Sequence, residues 1–202
     1  MRAIFSNPRT RKILTAVKPW FIFIGVFFLL KVTGLGAEIS DVAKSALLKT
    51  GLVDAAPEVD APKEQAFDYG FYVRDLNGKE IDMKELRGKV IFLNLWATWC
   101  GPCRVEMPSI QNLYNSVDRD IVAFVMLSLD EDAQHKNVAR YIANKGFTFP
   151  VYQPASPLPK LLQVRTIPTT FIIGADGKVK HKKTGMANYD TEEMREFLQT
   201  LQ

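Results

Sequence analysis

The sequence predicts an α/β protein with a mixed central sheet of about five strands and helices on both faces, preceded by an N-terminal transmembrane helix. Three observations carry this. Two short apolar runs rich in branched and aromatic residues, 90–96 and 121–129, alternate with stretches of helical periodicity. A long crossover separates those runs, which implies that they pair in parallel. Asn77-Gly78 and Asp176-Gly177 each sit between strand-like stretches and favour tight antiparallel turns. With 202 residues, 47% of them hydrophobic, the chain can build one domain with appendages.

Residues 1–37 hold Arg2, Arg9, Arg11, Lys12, Lys18 and Lys31 and no acid, which leaves 20 basic residues against 22 acidic ones in the remainder. The net charge of +4 is therefore local, and no nucleic-acid surface is indicated. Residues 13–35 carry no charge apart from Lys18 and Lys31, whose stems can snorkel, and these 23 residues are long enough to span a bilayer. A cleaved signal peptide is the competing reading, because the uninterrupted apolar core is 12 residues and 34–37 are mostly small. Trp20 as an interfacial aromatic and the lack of a strict Ala-x-Ala signal favour the anchor. The basic flank leaves the N-terminus in the cytoplasm and sends the rest outward.

The expected organisation is a cytoplasmic basic tail and membrane anchor (1–37), a juxtamembrane amphipathic helix and linker (38–65), and a folded head (66–202). Ile39, Val42, Ala43, Ala46, Leu47 and Leu48 recur at helical spacing before Gly51. That helix suits the lipid surface, with a partner-binding or dimerising helix as the alternative. Residues 53–65 are rich in Pro, Ala and charge without periodicity and read as an extended linker. In the head, 67–73 and 79–81 form a hairpin and 82–86 a single helical turn, followed by the central strand 90–96 and a helix to about 117. Next come strand 121–129, helix 132–145 with Val138, Tyr141 and Ile142 on one face, strand 150–152 and a helical turn or two at 157–163. Strands 169–173 and 178–183 then lead into a closing helix at 191–201, capped by Thr191.

The chemistry begins where the central strand stops, at Trp99-Cys100-Gly101-Pro102-Cys103. Pro102 followed by Arg104, Val105, Glu106 and Met107 reads as a helix opening, so Cys100 lies at a helix N-terminus. Unpaired N–H groups and the helix dipole there favour a thiolate and lower the thiol pKa from its free value of about 8.5. Cys100 is then the attacking nucleophile, and Cys103, one turn deeper and within disulfide reach, the resolving thiol. A structural disulfide would normally close a much longer loop than four residues. A zinc site needs about four ligands, and neither His135 nor His181 stands in a metal spacing. Neither a metal nor any cofactor beyond the redox-active Cys100–Cys103 pair is therefore expected.

Together these residues resemble the thioredoxin superfamily over about 67–201, and TWCGPCRVEMP resembles its TlpA/ResA branch of membrane-tethered extracytoplasmic thiol–disulfide oxidoreductases. The resemblance implies a thioredoxin-like three-layer sandwich. It implies that Cys100 and Cys103 are the redox pair, Trp99 the flanking aromatic, Pro108 a helix-kinking proline and Pro168 a cis-proline beside the disulfide. Trp99, Gly101, Pro102, Ile167 and Pro168 would then form the substrate groove, and Glu106 matches an acid of that branch. Where thioredoxin has a buried aspartate, six residues before the first Cys, this chain has Asn94, which cannot accept a proton. Proton handling then falls to Glu106 or to water.

Glu106, three residues after Cys103 on the same helix face, is thus a proton-handling residue, or else only a solvated first-turn acid that suits the helix dipole. Lys178, Lys180, His181, Lys182 and Lys183 form a basic strand that could steer an acidic partner or simply protect a sheet edge from aggregation. His135 and His181 read as solvated. The expected activity is disulfide exchange in a periplasmic or extracellular compartment, in the reducing direction because Gly101-Pro102 matches thioredoxin's dipeptide. A disulfide-forming oxidant, or a tethered binding module for unfolded exported chains, is the alternative. The resemblance implies exported disulfide proteins, such as apocytochrome c, as substrates and a membrane electron donor as partner.

Overall fold

The computed structural model describes residues 65–131 and 135–202. The expected anchor at 13–35, the amphipathic helix and the linker up to residue 64 lie outside the described residues. Among the described residues, no helix is long and apolar enough to cross a membrane.

One mixed sheet organises the head. Its strands are β1 (Tyr72–Asp75), β2 (Glu80–Asp82), β3 (Val90–Trp96), β4 (Val122–Ser128), β5 (Val151–Pro154), β6 (Thr169–Ile173) and β7 (Val179–Thr184). Their order across the sheet is β2-β1-β5-β4-β3-β6-β7. β3 and β4 pair in parallel from Val90↔Val122 to Trp96↔Ser128, as the crossover required, and β4 pairs in parallel with β5. β6 lies antiparallel on the other side of β3. The sheet has seven strands where about five were expected, because the hairpins β1–β2 and β6–β7 both extend the same sheet, β1 by pairing with β5.

All seven residues of β3 are buried, and their alternation divides the core in two. Val90, Phe92 and Trp96 pack with α1 (Gly101–Ser116), α2 (His135–Lys145) and α3 (Glu192–Thr200) through Met107, Ile110, Val138 and Leu198. Ile91, Leu93 and Leu95 face Phe171, Val125, Phe71 and Met83 on the other side. That second face is covered by the 67–71 segment and by the one-turn 3-10 helices Met83–Leu86 and Lys160–Leu162, not by an α-helix among the described residues. These are the single helical turns read from the sequence at 82–86 and 157–163, so helices lie on both faces as expected, α-helical on one and 3-10 on the other. Each turn has a local start signal: the Asp82 side chain accepts from Lys84 N–H at one, and Pro159 precedes the other.

His181 also departs from expectation, being 1% exposed rather than solvated. A one-residue register shift between Ile172 and Ile173 is the cause: Ile173 pairs with Val179 but Ile172 with His181. The shift turns Val179 into the second core, while the His181 ring meets the edge of Phe197 on α3. Strict alternation would have placed both residues on one face. The basic strand is, as read, at the sheet edge.

Candidate active site at the start of α1

β3 delivers the chain to the edge of the sheet, and a short turn returns it as α1. Cys100 N–H donates to Ala97 O at 3.1 Å, closing the turn, and Pro102 sits in the first turn of the helix, where its missing N–H costs nothing. The turn is held from the neighbouring strand end. Asp130 accepts from Thr98 N–H at 2.8 Å, Thr98 Oγ1–H at 2.6 Å and Ser128 Oγ–H at 2.7 Å. Trp99 is left projecting into solvent, 68% exposed, directly before Cys100.

Cys100 and Cys103 are joined as a disulfide with their Cα atoms 5.3 Å apart. Cys100 is the N-cap of α1, and its Sγ accepts the Cys103 backbone N–H at 3.2 Å. An N–H aimed at sulfur from a helix N-terminus stabilises negative charge there when the bond is reduced. Of the two sulfur residues, Cys100 retains 5% exposure and Cys103 none. Ile167 O lies 3.8 Å from Cys100 Sγ, and the Ile167–Pro168 bond is cis. Pro168 is buried and Ile167 half-buried. The structure thus gathers Trp99, Cys100, Gly101, Pro102, Cys103, Ile167 and Pro168 at one edge of the sheet. Pro108 lies within α1 and removes an N–H that would otherwise bond Arg104 O. His181 lies on β7, apart from this cluster.

Glu106 is fully buried one helical turn beyond Cys103, which overturns the solvated first-turn alternative. Residues three apart on a helix have Cβ atoms about 5–6 Å apart, so the carboxyl belongs to the Cys103 side of the site. Asn94 Nδ2 on β3 donates to Glu106 Oε1 at 2.8 Å, and Ala187 N–H donates to Oε2 at 3.2 Å. Asn94 also donates to Thr170 Oγ1 at 2.9 Å, and the Tyr189 hydroxyl lies 2.7 Å from that same oxygen. Ser109 Oγ receives Tyr189 N–H at 3.1 Å, so the 187–189 segment is fastened to α1 at two points.

Burial dominates the electrostatics of this network. Desolvation pushes the Glu106 carboxyl from 4.5 up to about 8, and the hydrogen bonds from Asn94 and Ala187, which favour the charged form, offset only part of it. Burial, then the Glu106 charge, likewise raises the Tyr189 phenol well above its ordinary value. At neutral pH, Glu106 is mostly a neutral carboxylic acid within one turn of a buried sulfur. It can therefore supply a proton there, and near pH 8 it can equally accept one.

Sequence reasoning missed Asp130, Thr98, Thr170, Tyr189 and the Ala187 N–H. Asp130 follows a buried strand and Thr170 comes two residues after a proline, positions with no periodic signal, and the backbone donor at 187 has no side chain to read. The only available cue was that Asp130 directly follows the apolar run 121–129.

Comparison with known proteins agrees with this geometry. Residues 53–182 match the model of the AhpC/TSA family. Thiol-disulfide oxidoreductase ResA of Bacillus cereus is 36% identical over 132 residues, 65% of this chain and 74% of that protein. Its counterpart in Geobacillus thermodenitrificans is 34% identical over 132 residues, covering the same shares. Among solved structures, a putative thiol:disulfide interchange protein DsbE from Chlorobium tepidum superposes with a TM-score of 0.57 at 26% identity, over 68% of this chain and 97% of that one. StoA from Bacillus subtilis gives 0.51 at 27% identity, over 61% and 92%.

Proposed function

The chain belongs to the AhpC/TSA family and is a thioredoxin-fold thiol–disulfide oxidoreductase, and from that premise we propose that it reduces disulfides of exported proteins outside the cytoplasm. The observation that carries the direction of attack is the Cys100 sulfur capping α1, with the Cys103 N–H aimed at it and a little exposure where Cys103 has none. In the reduced chain, the Cys100 thiolate attacks one sulfur of a substrate disulfide. That S–S bond breaks, the departing substrate sulfur takes a proton, and a mixed disulfide to Cys100 forms. Cys103 then loses its proton and attacks Cys100 Sγ, releasing the second substrate thiol and leaving the Cys100–Cys103 disulfide. Two electrons have moved to the substrate. Glu106 in its ionised fraction, which grows towards pH 8, accepts the Cys103 proton in this direction, and its protonated form donates one back when the pair is reduced again. Trp99, Gly101, Pro102 and the Ile167–Pro168 turn form the groove that receives the substrate strand.

Residues 13–35 anchor the chain, with the head in the periplasm or at the cell exterior, and a membrane donor re-reduces the pair. The basic flank before that span supports this topology. Protease added to spheroplasts should digest the head, and digestion only after lysis would refute the orientation. Reduction of insulin with dithiothreitol is the direct test of activity: the wild type accelerates precipitation, and Cys100→Ala does not. A binding module would show no acceleration with either. The reduction potential separates reductant from oxidant. Gly101-Pro102 points to the thioredoxin end, near about −270 mV, and a value near about −120 mV would make the chain an oxidant.

A further inference from the structure

Thr166 and Thr169 flank the Ile167–Pro168 turn and also line a groove of about 520 Å³ on the Phe171 face of the sheet. Three cations line it: Lys160 on the 3-10 turn, Arg165 on the loop, and Lys182 on β7, whose Nζ stands 5.4 Å from the Phe171 ring centroid. No lining residue is acidic. Elsewhere, Arg74, Lys84, Lys180 and Arg195 are ion-paired, whereas none of these three has a salt bridge among the described residues. Three like charges around one concavity repel each other and raise its affinity for an anion.

We propose that this groove docks an acidic stretch of the substrate protein, a few residues from the cysteine under attack. The proposal rests on the thiol–disulfide reading of the site and deepens it by naming a substrate class. Ile167 O lies 3.8 Å from Cys100 Sγ, and the groove begins at the residues on either side of the turn. An extended strand advances about 3.3 Å per residue, so side chains about two to four positions from the reacting cysteine reach it. Acids there meet Lys160, Arg165 and Lys182. Basic side chains are repelled, which adds discrimination against the wrong substrate.

The test uses the pre-reduced full chain in single turnover at subsaturating concentrations. Two disulfide peptides differ only in carrying Asp and Glu, or Lys, two to four positions on either side of the cysteine. Bis(2-hydroxyethyl) disulfide is the uncharged control. Exposed ion pairs contribute little singly, and three together should give the acidic peptide a second-order rate roughly tenfold above the basic one at low salt. That preference should shrink at high salt and collapse in the Lys160→Gln/Arg165→Gln double variant, with the control rate unchanged. Equal rates for the two peptides, or a preference that survives in the variant, would overturn the docking site. Failure of the wild type to reduce even the uncharged disulfide would instead overturn the activity on which the proposal rests.

Discussion

Asn94 Nδ2 on the central strand donates to Glu106 Oε1 at 2.8 Å, and both side chains are buried. Burial outweighs that hydrogen bond, so the carboxyl titrates near 8 and sits one helical turn from Cys103. The consequence is a carboxyl that changes protonation in the pH range where thiols do, whereas a solvated glutamate would be ionised throughout that range.

Glu106→Gln keeps the shape and removes the titration. Ionised Glu106 raises the pKa of a neighbouring thiol by like-charge repulsion, so in the variant the Cys100 pKa should fall. Iodoacetamide alkylation against pH should show a wild-type profile with an extra step near pH 8 that the variant lacks. Superimposable profiles would reduce Glu106 to a structural residue.

Stability follows the same group with a definite sign. Glu106 titrates at about 8 when folded and near 4.5 when unfolded, so between these values the folded chain binds more protons. Its contribution is fully present below about pH 4.5 and is lost as pH rises towards 8, with a limiting slope of about 1.4 kcal/mol per pH unit. Urea unfolding of the disulfide-intact chain should find the stability gap between wild type and Glu106→Gln moving in the variant's favour from about pH 5 to about pH 8. A gap independent of pH contradicts the burial account.

Asp130 holds the turn that precedes Cys100 and touches no sulfur. Asp130→Ala leaves the Thr98 N–H and hydroxyl and the Ser128 hydroxyl without their acceptor, at a cost of about 1–3 kcal/mol. Amide exchange at Thr98 should accelerate, and thiol exchange at Cys100 should slow while its pKa moves little. Unchanged amide exchange at Thr98 would show that the turn needs no such clamp.

The extent to which the sequence foretold this arrangement follows the physics of each signal. Apolar runs fully buried on both faces, as at 90–96, and a proline in a helix's first turn are local patterns, so the strand, the helix start and the Cys100–Cys103 pair were legible. So was the Ile167–Pro168 turn, through its resemblance to a family. Glu106 was legible as a candidate, but its burial was not, because that depends on Asn94 from one strand and Ala187 from a segment 81 residues away. His181 was misread because a register shift on an edge strand leaves no mark in composition. The short helical turns on the second face were legible at 82–86 and 157–163, where Met83–Leu86 and Lys160–Leu162 form.

The roles of the two cysteines are the centre of the account, and substrate trapping tests them most directly. Cys103→Ala keeps the attacking sulfur at the helix cap and removes the one that resolves the mixed disulfide. Mass spectrometry of the full-length variant, mixed with a disulfide-bonded protein and alkylated, should find the adduct on Cys100. Cys100→Ala should trap far less, since Cys103 is fully buried. Equal trapping by the two variants, or adducts chiefly on Cys103, would contradict the assignment.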